Sequence, residues 1–368
     1  MKFGNLLLIM VIHCFIIFEF VLADIDGTTA VIFNDSATEL TDGTVCNGFV
    51  YFSNGFALPA GASTILNLIP PVRGAINLNA TGTVVLANDL FLGSNVTFPE
   101  GGIIDGQGNV VFLQGNLTIP RGKKIKIVSD TIIDGQGHEL IFEPEASGVI
   151  GGILSIDGAE GTTVALRNIT VKGLADYSNS RSIKFGSSIE QKLVLDKAKL
   201  YLKKKFTFVG GMLNVHNDGV ISGDHDFIFQ SSYDCTIDTM STLLLDMDVV
   251  FKYQPADKKK NHIVMTDASS VLFLNGSTLN TPHNQGLVLT RGHMIIDHKS
   301  YVDGNGALRD VQGITFGDET ARNNIMIDFM PGASLNVVDG IITYNNLEDV
   351  ITENNGGHRV IKKNDRKV

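Results

Sequence analysis

The sequence predicts an all-β chain folded as a right-handed parallel β-helix, a single-stranded solenoid with an irregular N-terminal cap. Three observations carry that reading. A six-residue segment recurs, short stretches alternate apolar and polar residues, and 39 glycines are spread through 368 residues without the three-residue period of collagen. Abundant glycine outside such a period means many tight turns, and many turns mean many short strands.

Taken in order, residues 1–23 read as an export signal. Lys2 is the positive start, the apolar stretch runs from Leu6 to Phe18, and Val21-Leu22-Ala23 precedes a cleavage point at Asp24. His13 and Glu19 interrupt the apolar run, which disfavours a stable membrane span. No later stretch reaches the length of a membrane helix, so no transmembrane segment is expected after cleavage. Residues 24–77 lack the tight repeat and contain Pro59, Pro70 and Pro71; they are expected to form the cap or irregular first coils that cover a sticky open edge.

Residues 78–345 are the expected solenoid. Ile103-Ile104-Asp105-Gly106-Gln107-Gly108 recurs as Ile132-Ile133-Asp134-Gly135-Gln136-Gly137, an offset of 29 residues, with echoes at Val302-Asp303-Gly304 and Val338-Asp339-Gly340. The spacing predicts that the two hexapeptides occupy equivalent corners or lie one coil apart. Each has apolar strand residues before a glycine corner where Asp can bond its own backbone.

Period two is clearest from Leu243 to Tyr253. There it points Leu245, Met247, Val249 and Phe251 inward and Asp246, Asp248 and Lys252 outward. Lys124-Ile125-Lys126-Ile127 alternates likewise. Ala198, Leu200, Leu202, Phe206 and Phe208 share one face, broken by a corner at Lys204. At about 4.8 Å per coil and roughly 20–30 residues per coil, residues 78–345 make roughly 9–13 coils. Residues 346–368 turn polar and then basic, and are expected to be a frayed tail.

The formal net charge of −10 disfavours general nucleic-acid binding, which needs a basic footprint. Two cysteines remain after the signal, Cys46 and Cys235. In a solenoid, where contacts are between sequence neighbours, they are expected to be buried and unpaired.

The fragments Ile132-Ile133-Asp134-Gly135-Gln136-Gly137-His138 and Leu166-Arg167-Asn168-Ile169-Thr170-Val171 resemble the coils of the pectin-lyase-like right-handed parallel β-helix superfamily. Gly101-Gly102-Ile103-Ile104 and Gly151-Gly152-Ile153-Leu154 are similar to the repeats of polymorphic outer-membrane proteins, which implies a passenger-type surface protein. The resemblance covers roughly residues 80–345 and concerns the coil rather than an active site, and one fold hosts many functions. Asn34, Asn79, Asn95, Asn116, Asn168 and Asn275 each begin an Asn-x-Ser/Thr sequence. Because the resemblance is mainly to bacterial passengers, they are read as stacked corner asparagines rather than glycosylation acceptors.

Carboxylates that could work in pairs are Asp246 with Asp248 and Asp224 with Asp226. The Asn-Thr-Asp, Asp-Asp and Gly-His-Gly elements of polygalacturonases are absent. Ile295-Ile296-Asp297-His298 resembles a pectate-lyase element without its Trp, and the chain has no Trp at all. Asp105 and Asp134 are expected to bond turn amides rather than calcium. Lys197, Lys199, Lys203 and Lys205, with Lys258-Lys259-Lys260, are read as a solvated surface rather than an anion-binding patch. No catalytic, cofactor-binding or metal-binding residue is assigned, and no cofactor is expected. The sequence thus predicts a secreted or cell-surface scaffold, adhesive or structural, whose partner is a glycan or a cell-surface receptor. The alternative is a polysaccharide lyase or glycoside hydrolase of the pectin-lyase-like type.

Overall fold

The computed structural model describes residues 24–33, 38–257, 261–281, 286–303, 312–316, 325–339, 341–344 and 351–353. Residues 1–23, read above as an export signal, Lys258-Lys259-Lys260 and most of residues 346–368 lie outside them. The described residues form 36 strands and no helix. Every strand-to-strand ladder is parallel, and a strand pairs with the strand one coil on rather than with its chain neighbour. This is the pairing pattern of a β-solenoid.

Each coil visits three faces. The first face is an eight-stranded sheet from Asp24–Phe33 to Ile183–Phe185, continued by a six-stranded sheet from Phe206–Phe208 to Ser334–Asp339. The second face runs through Leu90–Leu92, Val110–Leu113, Thr131–Asp134 and Thr163–Arg167 into the first half of the long strand Lys192–Leu202. The third runs through Leu117–Ile119, Glu139–Phe142 and Thr170–Lys172 into the second half of that strand. The long strands Lys192–Leu202 and Met212–Gly223 each cross from the second face to the third, with a register shift between Asp196 and Ala198. The parallel ladder begins within residues 24–77, where Thr44–Phe52 pairs with Ser63–Leu68.

Inward side chains stack in columns, because parallel register sets like positions one above another. Val111, Ile133, Leu166, Leu195, Val215, Ile237 and Met265 form one such buried column. Phe208, Phe229 and Tyr253 form another, with ring centroids 6.0 and 6.2 Å apart. Offset-stacked rings add to their area burial. Cys46 and Cys235 are buried and unpaired, and burial pushes their thiols up to about 11 and about 12.

Alternation identified most inward residues. Ile125 and Ile127 point in, and so do Ala198, Leu200, Leu202, Phe206 and Phe208, with the corner at Lys203, Lys204 and Lys205. Two expectations need correction. Residues 243–253 are two strands, Thr242–Leu245 and Val250–Tyr253, on different faces. Met247 sits on the turn between them, with Asp248 at φ 66°, and is 49% exposed rather than inward.

The repeated hexapeptides are not one coil apart. Ile103 pairs with Lys126 on the first face, whereas Ile132 pairs with Val110 on the second. Their corners share a conformation, Gln107 and Gln136 having φ 51° and 49°, but occupy different places in the cross-section. The two diglycines precede strands of the same face but are not equivalent either: Ile125 pairs with Gly102 on one side and with Leu154 on the other, so they lie two coils apart and two residues out of register. Both diglycines are sterically required. A Cβ on Gly102 would lie 2.4 Å from the Leu78 side chain, and one on Gly152 would lie 2.2 Å from the Ile119 carbonyl oxygen.

Candidate functional site

The outer surface of the second face carries one continuous column of side chains. It starts at Phe91 and Phe112, which are register partners with rings stacked at 4.8 Å and 16°. It continues through Asp134, Arg167, Asp196 and His216, each opposite the last in the ladder. His216 then reaches Asp238 on the next coil, Nδ1 to Oδ2, at 3.2 Å. The result is an aromatic step followed by alternating acidic and basic groups, spaced by about 4.8 Å per rung.

The rungs are tied sideways. Arg167 Nε donates to Asp196 Oδ2 at 2.7 Å, and Asn217 Nδ2 donates to Asp196 Oδ1 at 2.6 Å. Burial alone would raise the Asp196 carboxyl. The donors Asn217 and Arg167, with the charges of Arg167 and His216, outweigh it and hold the group below its usual range. Asn214 Nδ2 donates to Thr236 Oγ1 at 2.6 Å and to Asp238 Oδ1 at 2.8 Å.

Between the second and third faces the chain turns on single left-handed residues. Gln136, Asn168, Lys197 and Asn217 have φ of 49°, 45°, 53° and 62°. Short polar side chains visit this conformation more readily because they bond locally. Asp134 Oδ1 accepts from the Gln136 amide at 3.0 Å, as expected of a turn aspartate, and Asn168 Nδ2 approaches it at 3.4 Å. Along this corner lies a shallow depression of about 440 Å³ lined by Gln136, Gly137, Asn168, Ile169, Thr170, Lys197 and Lys199.

The other candidates are placed as follows. Asp246, Asn275 and Asp297 fall on adjacent coils of one corner, where Asn275 Nδ2 donates to Asp246 Oδ1 at 2.9 Å and Asn275 Oδ1 meets His298 Nδ1 at 2.8 Å. Two candidates far apart in sequence are thus brought together, joined by an amide. Asp224 and Asp226 are drawn to different partners, His225 at 2.8 Å and Lys252 at 2.5 Å. Asp105 accepts from Ser129 Oγ and Gln107 Nε2. Among the described residues no three His, Cys, Asp or Glu side chains cluster so as to hold a metal ion.

The lysines expected to act alike do not. Lys205 approaches Asp176 at 3.7 Å and Lys203 lies over the Tyr201 ring, while Lys197 and Lys199 line the depression. Phe91, Phe112, Asp196, His216 and Asp238 were not distinguishable in the sequence. The steps between successive rungs from Phe91 to Asp238 are 21, 22, 33, 29, 20 and 22 residues, so no fixed offset exposes the column.

No protein-family model, no curated protein sequence and no solved structure matches this chain. The all-strand architecture with long parallel sheets is compatible with a parallel β-helix, and the coil-level resemblance extends to that architecture and to no family.

Proposed function

We propose that this chain is a secreted or cell-surface adhesive scaffold, a right-handed solenoid of the pectin-lyase-like kind, that binds a glycan along the outer column of its second face. Right-handedness follows from the strong bias of parallel crossovers. The signal-like residues 1–23 support export, with 24–77 as the opening coils, 78–345 as the body and 346–368 as the tail. The observation that carries the proposal is the column itself. An aromatic step offers an apolar platform, and the more exposed polar rungs beyond it, Arg167, His216 and Asp238, offer donors and acceptors at a repeat suited to an extended polymer.

Binding is favoured over turnover by the carboxyl chemistry. A glycosidase needs one carboxyl raised so that it can donate a proton. Among the described residues the carboxyls shifted from their usual range are instead held low: Asp42 by the amide and hydroxyl of Ser63, Glu145 by Ser178, Asp224 by His225, Asp267 by Ser269, and Asp196 as above. The second reading, a lyase or hydrolase, rests on Asp196 and Asp238 flanking His216 two rungs apart.

A glycan array probed with the purified chain, followed by calorimetry on its hits, tests both readings. The wild type is expected to retain a glycan, and His216→Ser with Asp238→Asn to lose it without loss of fold. A wild type that retains nothing overturns the adhesive proposal. Release of shortened or unsaturated products that stops in the same variant promotes the enzyme.

A further inference from the structure

We infer that the depression between the second and third faces is a subsite for a tetrahedral oxyanion ester, a sulfate or phosphate carried on the polymer bound along the second face. The inference rests on that binding reading and names the chemistry of its ligand. Lys197 and Lys199 both line the depression, and neither has an ion-pair partner among the described residues. Nearby cations are otherwise committed. Lys172 is paired with Glu139, Arg167 with Asp196, and Lys205 is near Asp176. Of the acids closest along the chain, Asp196 is paired with Arg167, and Asp134 turns its carboxylate to the Gln136 amide rather than to either lysine. Two cations without an ion-pair partner among the described residues therefore face one concavity.

The rest of the lining suits the same ligand. Gln136, Asn168 and Thr170 can supply neutral donors, and Thr170 is the register partner of Lys199. Lysines are mobile point charges, each with three donors. They serve an oxyanion with several acceptor oxygens better than a planar carboxylate, which a bidentate arginine fork suits best. Lys197 also holds a left-handed corner position that Asn168 and Asn217 fill on neighbouring coils. Asparagine suits that backbone better, so the lysine there is chosen against local preference.

Calorimetric titration of the folded full chain with dextran sulfate, phosphorylated dextran, plain dextran and polygalacturonate tests this. One of the two esters is expected to bind at least ten-fold more tightly than polygalacturonate, and which one identifies the anion. Lys197→Asn combined with Lys199→Gln should abolish that preference, while Lys203→Gln keeps it. Equal affinity for ester and carboxylate polymers, with glycan binding intact, overturns this inference alone. No binding to any polymer overturns it together with the adhesive reading. Should the double variant fail to fold, acetylation footprinting of the wild type decides: the ester polymer should protect Lys197 and Lys199 but not Lys204, and equal modification of all three with and without polymer overturns the subsite.

Discussion

Asp196 is 6% exposed, yet it keeps its charge because every donor around it serves the ionised form. Its carboxyl is held below the usual range, so the folded chain binds fewer protons there than the unfolded chain. The stabilisation is complete above the ordinary carboxylate value of about 4 and is lost as the pH falls through the lower folded value. Asp196→Asn should destabilise the chain by about 2 kcal/mol at neutral pH, the scale of a charge-assisted hydrogen bond. It should also flatten the fall in melting temperature below about pH 4. An unchanged acid limb would show that other carboxyls dominate. Register gives a second residue-scale test. Val249 is fully buried and Met247 is on the turn, although they share parity. Val249→Asp should cost at least about 3 kcal/mol by burying an unpaired charge. Met247→Asp should stay within roughly 0.5 kcal/mol, as for surface changes. Similar melting temperatures for the two variants would contradict this register.

Corners, more than strands, decide where an element ends. Strand residues were legible because period two separates inward from outward. Corners were legible where glycine marked them, where Lys204 broke an apolar face, and at an asparagine such as Asn168. Asn168, Lys197, Asn217 and Met240 turn the chain without glycine, all at positive φ, and nothing in the residue type of Lys197 or Met240 announces it. Met240 is exposed, so its side chain gives little back for that strain. Met240→Asn should therefore stabilise the chain by about 0.5–1 kcal/mol by relieving a left-handed penalty; a lower melting temperature would argue against the corner conformation. Gly152 is the opposite case. Gly152→Ala drives a methyl against the Ile119 carbonyl and should cost roughly 1–3 kcal/mol, the range of overpacking. A neutral Gly152→Ala would show that this corner can open.

At the scale of the whole molecule, each coil rests only on its neighbours, so damage should stay local before it spreads. Phe227 lies between Phe206 and Phe251, with centroids 5.9 and 5.4 Å away. Phe227→Ala should cost about 3–5 kcal/mol. Hydrogen exchange should quicken first in strands 206–208, 226–229 and 250–253, while 102–105 and 124–127 keep their protection. Simultaneous loss of protection everywhere would mean a single cooperative unit instead. The functional column depends on the same stacking. Phe91 and His216 are linked through successive register partners and His216 reaches Asp238 by a hydrogen bond, and each link is long-range in sequence.

The sequence by itself determined the strand-rich class, the inward set of most strands, the buried unpaired state of Cys46 and Cys235, and the turn bond of Asp134. These are local properties, written in alternation and residue type within a few positions. Only the tertiary structure decided which strand lies on which face. It therefore placed the two identical hexapeptides on different faces, put Met247 outside, and aligned Phe112, Asp134, Arg167, Asp196 and His216. The physical reason is that coil length varies. Register partners such as Ser63 and Thr83 are 20 residues apart, whereas Thr131 and Val164 are 33 apart, the extra length being absorbed in corner loops. A side chain's direction follows from its immediate neighbours in sequence, but its neighbour across the ladder depends on the whole length of chain between them.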